Sequence, residues 1–229
     1  MGNVIHEGHR ERLKRRFIKQ DLDAFEEINA LELILFFGIA RKDTNLLAHK
    51  LLDRFGSFAN VLEASYEELV GVDGIGENSA TLIKLFNSVN RYYSCRKDDM
   101  SNIIVGLKAA GEFAVPLFIG MVDEIVYVIC LDNKGKVGLV QKLSEGTKDS
   151  ATVSARKIAE IALRNNAHKI IIAHNHPGGL ALPSQDDITT TAEIEKALSI
   201  FNIKLMDHIV VADADYVSLA QSGLIGAQR

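Results

Sequence analysis

The spacing of hydrophobic positions divides the chain into two parts with different periodicities. In the first part, apolar residues recur at helical spacing and predict helices over residues 4–19 and 23–38. Asp43-Thr44-Asn45 opens a further predicted helix, which Gly56 closes. Two shorter helical patterns follow, on either side of residues 71–76. The first part of the chain is therefore predicted to be all-helical.

The second part alternates helical and strand patterns. The predicted helices and strands are residues 107–120 (helix, shortened or kinked by Pro116), 124–132 (strand), 137–146 (strand), 154–166 (helix), 169–174 (strand), 186–202 (helix), 203–213 (strand) and 216–223 (strand). This alternation predicts a sheet layered by helices. The polar stretch 95–103 breaks the periodicity, so we place a domain boundary there, between residues 1–99 and 100–229.

Composition and charge narrow the class of protein. Of the 229 residues, 47% are hydrophobic and 24% are charged, which is typical of a globular protein. No apolar run reaches the roughly 18 residues of a membrane span, so no membrane association is expected. The two cysteines form neither a metal pair nor a disulfide framework, which predicts a reducing, cytoplasmic location. The net charge of −4 argues against a chain-wide phosphate-binding surface but leaves a local one open.

A basic face on the first predicted helix is one candidate for such a local surface. It includes Arg10, Arg12, Lys14 and Arg15. The face is either the solvated side of an amphipathic helix or a contact surface for nucleic-acid phosphates.

The segment 71–76, GVDGIG, predicts a tight hairpin between two helices. In such a hairpin Gly74 and Gly76 supply positive φ angles and Ile75 is buried between them. Free N–H groups at the start of the next helix can hold a phosphate, so the pattern resembles the helix-hairpin-helix motif that binds the DNA backbone.

The charges around this hairpin do not decide whether it binds phosphate. Lys84 is the nearby basic residue, whereas Asp73 and Glu77 are acidic. Contact with DNA and a role limited to packing or protein binding therefore both remain open.

The stretch 170–187 carries the candidate chemistry. His174 and His176 follow a short apolar run and, two residues apart on an extended backbone, point the same way. Asp187 stands eleven residues further on and can fold back to join them. Two imidazoles and one carboxylate, with a fourth position left to water, form the ligand set of a catalytic zinc site.

A catalytic zinc site also needs a carboxylate that moves a proton without binding the metal. Glu124 and Glu145 are the two candidates, and spacing alone does not choose between them. Ser184 and Asp187 have a structural explanation as well, as a helix N-cap and its partner three residues on. Both roles coexist if Ser184 caps the helix while Asp187 turns to the metal. Asp207-His208 either supports the site or is structural.

The string HNHPGGLALPSQDD, residues 174–187, is similar to the JAMM (JAB1/MPN) metalloprotease signature H-x-H-P-x6-S-x2-D. The order of elements over nearly the whole chain resembles the RadC family, historically called DNA repair proteins. This resemblance implies an α+β two-domain protein. Residues 1–99 would form a small all-α, helix-hairpin-helix-like domain, and residues 100–229 an α/β JAB1/MPN domain of the cytidine-deaminase-like fold.

Carried over to this chain, the resemblance implies a role for each of five residues. His174, His176 and Asp187 would be zinc ligands. Glu124 would be the general base for the attacking water, and Ser184 would hydrogen-bond the developing oxyanion. One departure is Gly178, because RadC-type sequences often have serine after the proline, and a loop contact is lost with it.

The function implied is a zinc-dependent hydrolase that cleaves a peptide or isopeptide bond in an unidentified peptide or protein. The alternative is a non-catalytic, DNA-binding accessory protein of repair or recombination, with a structural or vestigial zinc site. DNA as a partner and a homodimeric state are left open. Hydrolysis of phosphodiesters is less suited to one zinc ion with one base than to a two-metal site.

Overall fold

The computed structural model of the protein describes residues 3–40, 43–94, 103–145 and 154–225, with backbone only for residues 3–7 and 144–145. It divides the chain into two compact units, Met1–Asn90 and Arg91–Arg229. The predicted boundary segment, 95–103, lies outside the described residues apart from Ile103. The division into residues 1–99 and 100–229 therefore stays a prediction.

The first unit is built from helices around an apolar core, and its last helix extends beyond Asn90. The helices, which we label α1 to α6, are α1 Asn3–Gln20, α2 Glu27–Gly38, α3 Asn45–Phe55, α4 Phe58–Glu63, α5 Tyr66–Val70 and α6 Glu77–Ser94, with a short 3₁₀ turn at Leu22–Ala24. Leu31, Leu51 and Ile83, from three of these helices, are completely buried. Of the helices in the described ranges, none has both the length and the apolar character needed to cross a membrane.

Polar and apolar contacts together hold α1 against its neighbours. Leu13 of α1 is buried with Phe36 of α2. The carboxylate of Glu32 is buried, and its Oε1 lies 3.0 Å from Nε2 of His9. The other carboxylate oxygen accepts a hydrogen bond from Nδ2 of Asn45 at 3.3 Å. Because a buried carboxylate needs such partners, these two bonds make the polar contact compatible with the core.

The turn between α5 and α6 follows the predicted hairpin with one correction. Gly74 has a φ of +96°, and Ile75 is buried. Gly76, by contrast, does not adopt a positive φ. Its carbonyl accepts hydrogen bonds from the N–H groups of Ser79 and Ala80, both at 3.0 Å, so Gly76 serves as the start of α6 instead.

The second unit is a five-stranded sheet with helices on both faces. Its elements are α7 Gly106–Ala114, a 3₁₀ turn Val115–Phe118, β1 Ile125–Leu131, β2 Val137–Glu145, α8 Ala155–Arg164, β3 Lys169–Asn175, α9 Gln185–Ser199, β4 Lys204–Ala212 and β5 Asp215–Ser218. The 3₁₀ turn that contains Pro116 follows directly on α7, in agreement with the predicted shortening. Together the two units make the described fold α+β, as predicted.

The sheet is mixed, whereas the alternation of helices and strands suggested an α/β arrangement. Its strand order is β2-β1-β3-β4-β5, and within the described ranges only β3 and β4 pair in parallel. The reason is the tight turn at residues 132–136, which joins β1 to β2 as an antiparallel hairpin. Helix α9 is the crossover that returns the chain for the parallel pair.

Alternate residues of β3 face opposite sides of the sheet. Ile170 and Ile172 pack into a core with α8 and α9, whereas Ile171 and Ala173 pack into a second core with α7. His174 continues the first series, because side chains alternate along a strand. This register directs its imidazole towards α9.

Asp207 is a buried carboxylate that joins β4 to the last residue of β5 and to the segment after it. Its Oδ2 accepts a hydrogen bond from Oγ of Ser218 at 2.6 Å. Its Oδ1 accepts from the backbone N–H groups of His208 at 2.8 Å and Ala220 at 3.0 Å. Burial raises the pKa of Asp207, and the hydrogen bonds oppose that rise.

Replacing Asp207 with alanine should destabilise the second unit. The variant leaves three donors without their acceptor, so we expect the free energy of unfolding to fall by about 3 kcal/mol. Denaturant-induced unfolding measures the loss. Asp215→Ala, an exposed aspartate of β5, is the matched control and should change stability by about 0.5 kcal/mol or less. If both variants lost the same free energy of unfolding, the buried hydrogen bonds of Asp207 would not contribute to stability.

Candidate metal centre

The three side chains predicted as ligands converge at the end of β3. Nε2 of His174 lies 3.0 Å from Nε2 of His176 and 3.3 Å from Oδ1 of Asp187. Nε2 of His176 lies 3.7 Å from Oδ2 of Asp187. One nitrogen from each histidine and one carboxylate oxygen all fall within 4.8 Å of one another. The predicted same-side orientation of the two histidines is therefore present.

The spacing of these atoms fits a tetrahedral ion. Ligand atoms roughly 2.0–2.1 Å from a tetrahedral zinc ion stand roughly 3.3 Å apart. The closest approaches between pairs of these side chains are 3.0, 3.3 and 3.7 Å, the last two to different oxygens of Asp187. Two imidazole nitrogens and a carboxylate also match the ligand types that zinc takes in catalytic sites. The three residues can therefore hold a divalent cation and leave one position open.

A capping box at the start of α9 orients the carboxylate. The Oγ of Ser184 accepts a hydrogen bond from the N–H of Asp187 at 3.1 Å. Oδ2 of Asp187 accepts in return from the N–H and the hydroxyl of Ser184, at 2.7 and 2.6 Å. Oδ1 is left to face His174. The predicted cap is therefore present, and it leaves one oxygen of Asp187 turned towards the histidines, as the ligand role would require.

The electrostatics of Asp187 suit a metal ligand. Burial raises the pKa of this carboxyl group. The neighbouring imidazole of His174 and the hydrogen bonds from Ser184 outweigh the effect of burial and hold the pKa of Asp187 well below its usual range. The side chain is therefore an anion at neutral pH, as a metal ligand must be.

Glu124 stands immediately before β1 and reaches the same cluster. Its Oε1 lies 4.0 Å from Nε2 of His176, and its side chain is 65% exposed. The buried Asn175 holds the backbone on both sides of Glu124: its Oδ1 accepts from the N–H of Ile125 at 2.7 Å, and its Nδ2 donates to the carbonyl of Asp123 at 3.0 Å. Sequence reasoning missed Asn175, whose only signal was its position between the two histidines.

The alternative base, Glu145, ends the neighbouring strand β2. Its Cα pairs with that of Ile125, next to Glu124 in the chain. Its side chain lies outside the described part of the structure. The argument for Glu124 therefore rests on its approach to His176 and on the resemblance of the sequence motif.

Two buried residues stand behind His174. Nδ1 of His174 lies 2.8 Å from Nε2 of His208. Nδ1 of His208 lies within hydrogen-bonding distance of Oγ1 of Thr191, which also bonds the backbone carbonyl of Asp187. Burial is the largest cause that lowers the pKa of His208, to about 3, and the nearby Asp187 opposes it. Sequence reasoning missed Thr191, although its spacing of four residues from Asp187 places both on one face of α9.

The loop after the histidines supports His176. Nδ1 of His176 lies 3.2 Å from the carbonyl oxygen of Leu180. Gly178 lies within this loop with a φ of +65°, a conformation that favours glycine. The departure from serine at this position thus agrees with the local backbone.

The residues predicted to contact DNA all lie in the first unit. Arg10, Arg12, Lys14 and Arg15 are on α1, Gly74 and Gly76 are in the turn before α6, and Lys84 is on α6. Three of the cations donate to groups of the same unit: Arg10 to the carbonyl of Ile39, Lys14 to Glu11 and Lys84 to the carbonyl of Ala64. The contacts of Arg10 and Lys84 give these two side chains a structural role, whereas the pair of Lys14 and Glu11 is an exposed contact within α1.

Comparison with known proteins places the chain in a family. Residues 106–224, more than half of the chain, match the family described as the RadC-like JAB domain. A UPF0758 protein of Fusobacterium nucleatum subsp. nucleatum is 36% identical over 234 aligned residues, which cover 98% of this chain and 100% of that protein. The matched range includes β1 to β5 and every residue of the cluster around His174. The chain therefore belongs to the RadC family, with a RadC-like JAB domain as its second part.

Proposed function

We propose that the protein is a zinc-dependent hydrolase of peptide or isopeptide bonds. The observation that carries the proposal is the convergence of His174, His176 and Asp187, with the carboxylate of Glu124 4.0 Å from His176. A zinc ion held there would lower the pKa of a water ligand to about 7 and polarise a substrate carbonyl. The JAMM-like spacing of the same residues supports this class of chemistry.

The chain's own residues would move the proton. Glu124 is exposed and is not needed as a ligand, so its carboxylate is free to accept a proton from the attacking water. The same group would then deliver that proton to the leaving amine. Asn175 would keep Glu124 close to the ligands during both transfers, because it bonds the backbone on either side.

Ser184 is proposed to bind the developing oxyanion. In its present arrangement the hydroxyl donates to Oδ2 of Asp187. A single hydroxyl carries one hydrogen, so the oxyanion contact requires the Ser184 hydroxyl to turn away from Asp187. The backbone N–H of Ser184 would continue to hold the carboxylate during that change.

The alternative function, a DNA-binding accessory protein, rests on the helix-hairpin-helix-like pattern of the first unit. The positive φ of Gly74 and the burial of Ile75 support that pattern. The intramolecular contacts of Arg10 and Lys84 weaken it as a phosphate-binding surface. Hydrolysis is therefore the better supported function, with an unidentified peptide or protein as substrate.

A substrate panel tests the proposal. The full chain, loaded with zinc, is incubated with peptides, isopeptide-linked conjugates, and single- and double-stranded DNA. We expect cleavage of a peptide or isopeptide bond that stops on chelation and returns with added zinc. Cleavage of DNA alone would replace the proposal with phosphodiester hydrolysis. DNA binding without cleavage of any substrate would favour the accessory role.

A further inference from the structure

We propose that Thr191 and His208 are positioning residues that fix the tautomer of His174, so that its Nε2 lone pair faces the other ligands. The inference rests on the proposed metal site for its purpose. Its physical basis is a continuous series of hydrogen bonds that runs from the backbone of Asp187 through Thr191 and His208 to His174. The direction of each bond follows from the chemistry of the groups.

The direction is set first at Thr191. A backbone carbonyl can only accept, so the Thr191 hydroxyl donates its hydrogen to the carbonyl of Asp187. That hydroxyl has no second hydrogen, and its oxygen must therefore accept from the ring nitrogen that it faces, Nδ1 of His208. His208 consequently carries a hydrogen on Nδ1.

The bond between the two histidines then has one remaining solution. Nδ1 of His174 and Nε2 of His208 are 2.8 Å apart, so a single hydrogen lies between them. If it belonged to His208, the ring would be a cation, with a hydrogen on each nitrogen. His208 is only 5% exposed, and its two nitrogens face a hydroxyl and an imidazole, so no anion among the described residues bonds the ring directly. A buried cation without a bonded counter-charge is costly, and the hydrogen belongs to His174.

The consequence concerns the metal-facing side of the ring. With its hydrogen committed to Nδ1, a neutral His174 has its lone pair on Nε2, 3.3 Å from Oδ1 of Asp187. Neutral imidazole in water favours the opposite tautomer, which would direct a hydrogen at the ligand position. This series of hydrogen bonds from Asp187 through Thr191 and His208 to His174, which we call the relay, thus orients His174 as a ligand. Because it begins at the backbone of Asp187, it also links two of the ligands to each other.

Histidine NMR tests the relay in the wild-type chain. Long-range proton–nitrogen spectra of the ¹⁵N-histidine-labelled protein report which ring nitrogens are protonated, after each histidine signal is assigned by replacement. In the zinc-free protein we expect His208 to carry hydrogen on Nδ1 alone, and His174 to carry hydrogen on Nδ1. Hydrogen on Nε2 of His208 would overturn the proposal.

A matched pair of variants tests the origin of the relay. Thr191→Val removes the hydroxyl at nearly constant volume, so His208 is released and the His174 tautomer is no longer fixed. We expect the Nε2–H form of His208 to appear and zinc affinity, measured against a chromophoric chelator, to fall about ten- to a hundred-fold. Thr189→Val is the control, because Thr189 makes the same type of bond to the Gln185 carbonyl on the exposed part of α9.

The outcomes separate the relay from the proposed function. Equal zinc affinities and unchanged tautomers in the two variants would refute the positioning role. If the wild-type chain binds no zinc, the proposed hydrolase fails. The tautomers of His174 and His208 in the zinc-free protein still decide whether the relay exists.

Discussion

Replacement of His176 with alanine is expected to abolish zinc binding, whereas the wild-type chain binds about one ion. Loss of a residue that only supports a ligand costs roughly 10–100-fold in metal affinity, so loss of a direct ligand should exceed roughly 100-fold. His176 is a cleaner test than His174. The side chain of His176 is partly exposed. His174 is buried against His208, so its replacement would also remove a buried hydrogen bond.

Elemental analysis of the purified, zinc-equilibrated protein measures this loss, and circular dichroism checks that the variant is folded. His168→Ala is the control, because His168 is exposed and lies just before β3. We expect that variant to retain its zinc. Zinc retained at full occupancy in His176→Ala would contradict the assignment of ligands. A wild-type chain that takes up no zinc would contradict the proposed metal centre itself.

The second large effect is expected for Glu124→Gln. Glutamine has nearly the same size as glutamate but cannot accept the proton of the attacking water, so turnover should fall about 10²–10⁴-fold. Zinc content should not change, because Glu124 is 65% exposed and is not among the three converging ligands. The measurement is the rate of cleavage of the substrate that the panel identifies, at saturating zinc.

Asp123→Asn provides the matched control for Glu124→Gln. Asp123 is the exposed, adjacent carboxylate, and Asn175 bonds its backbone carbonyl rather than its side chain. Its neutralisation should leave turnover within about two-fold, since general acid–base catalysis needs a group within hydrogen-bond reach of the reacting atoms. Full activity in Glu124→Gln together with loss in Glu145→Gln would transfer the role of base to Glu145.

The convergence of His174, His176 and Asp187 was predictable because the three residues are close together in the sequence. The alternation of β3 puts His174 and His176 on one side, and the start of α9 returns Asp187 after a short loop. The distances of 3.0–3.7 Å agree with that prediction. Glu124 is fifty residues away in the sequence, and only the resemblance to a known motif singled it out from Glu145.

The residues that contact the proposed ligands were not predictable from spacing. Thr191 appears in the sequence as one of three consecutive threonines, and only the packing of α9 against β4 brings it to His208. The mixed sheet was not predictable for the same reason. The direction in which two strands pair depends on which strands become neighbours in the folded protein. Gly76 shows that local sequence does not always determine the backbone conformation. A glycine permits a positive φ but does not require one.

The bonds of Asn175 to either side of Glu124 also bear on how this protein can change over generations. Fifty residues separate the proposed base from the histidines along the chain, but a single amide connects them in space. Substitutions at exposed positions of α8 can therefore accumulate without shifting one partner relative to the other. Those positions can differ between lineages while the placement of Glu124 beside the histidines is inherited.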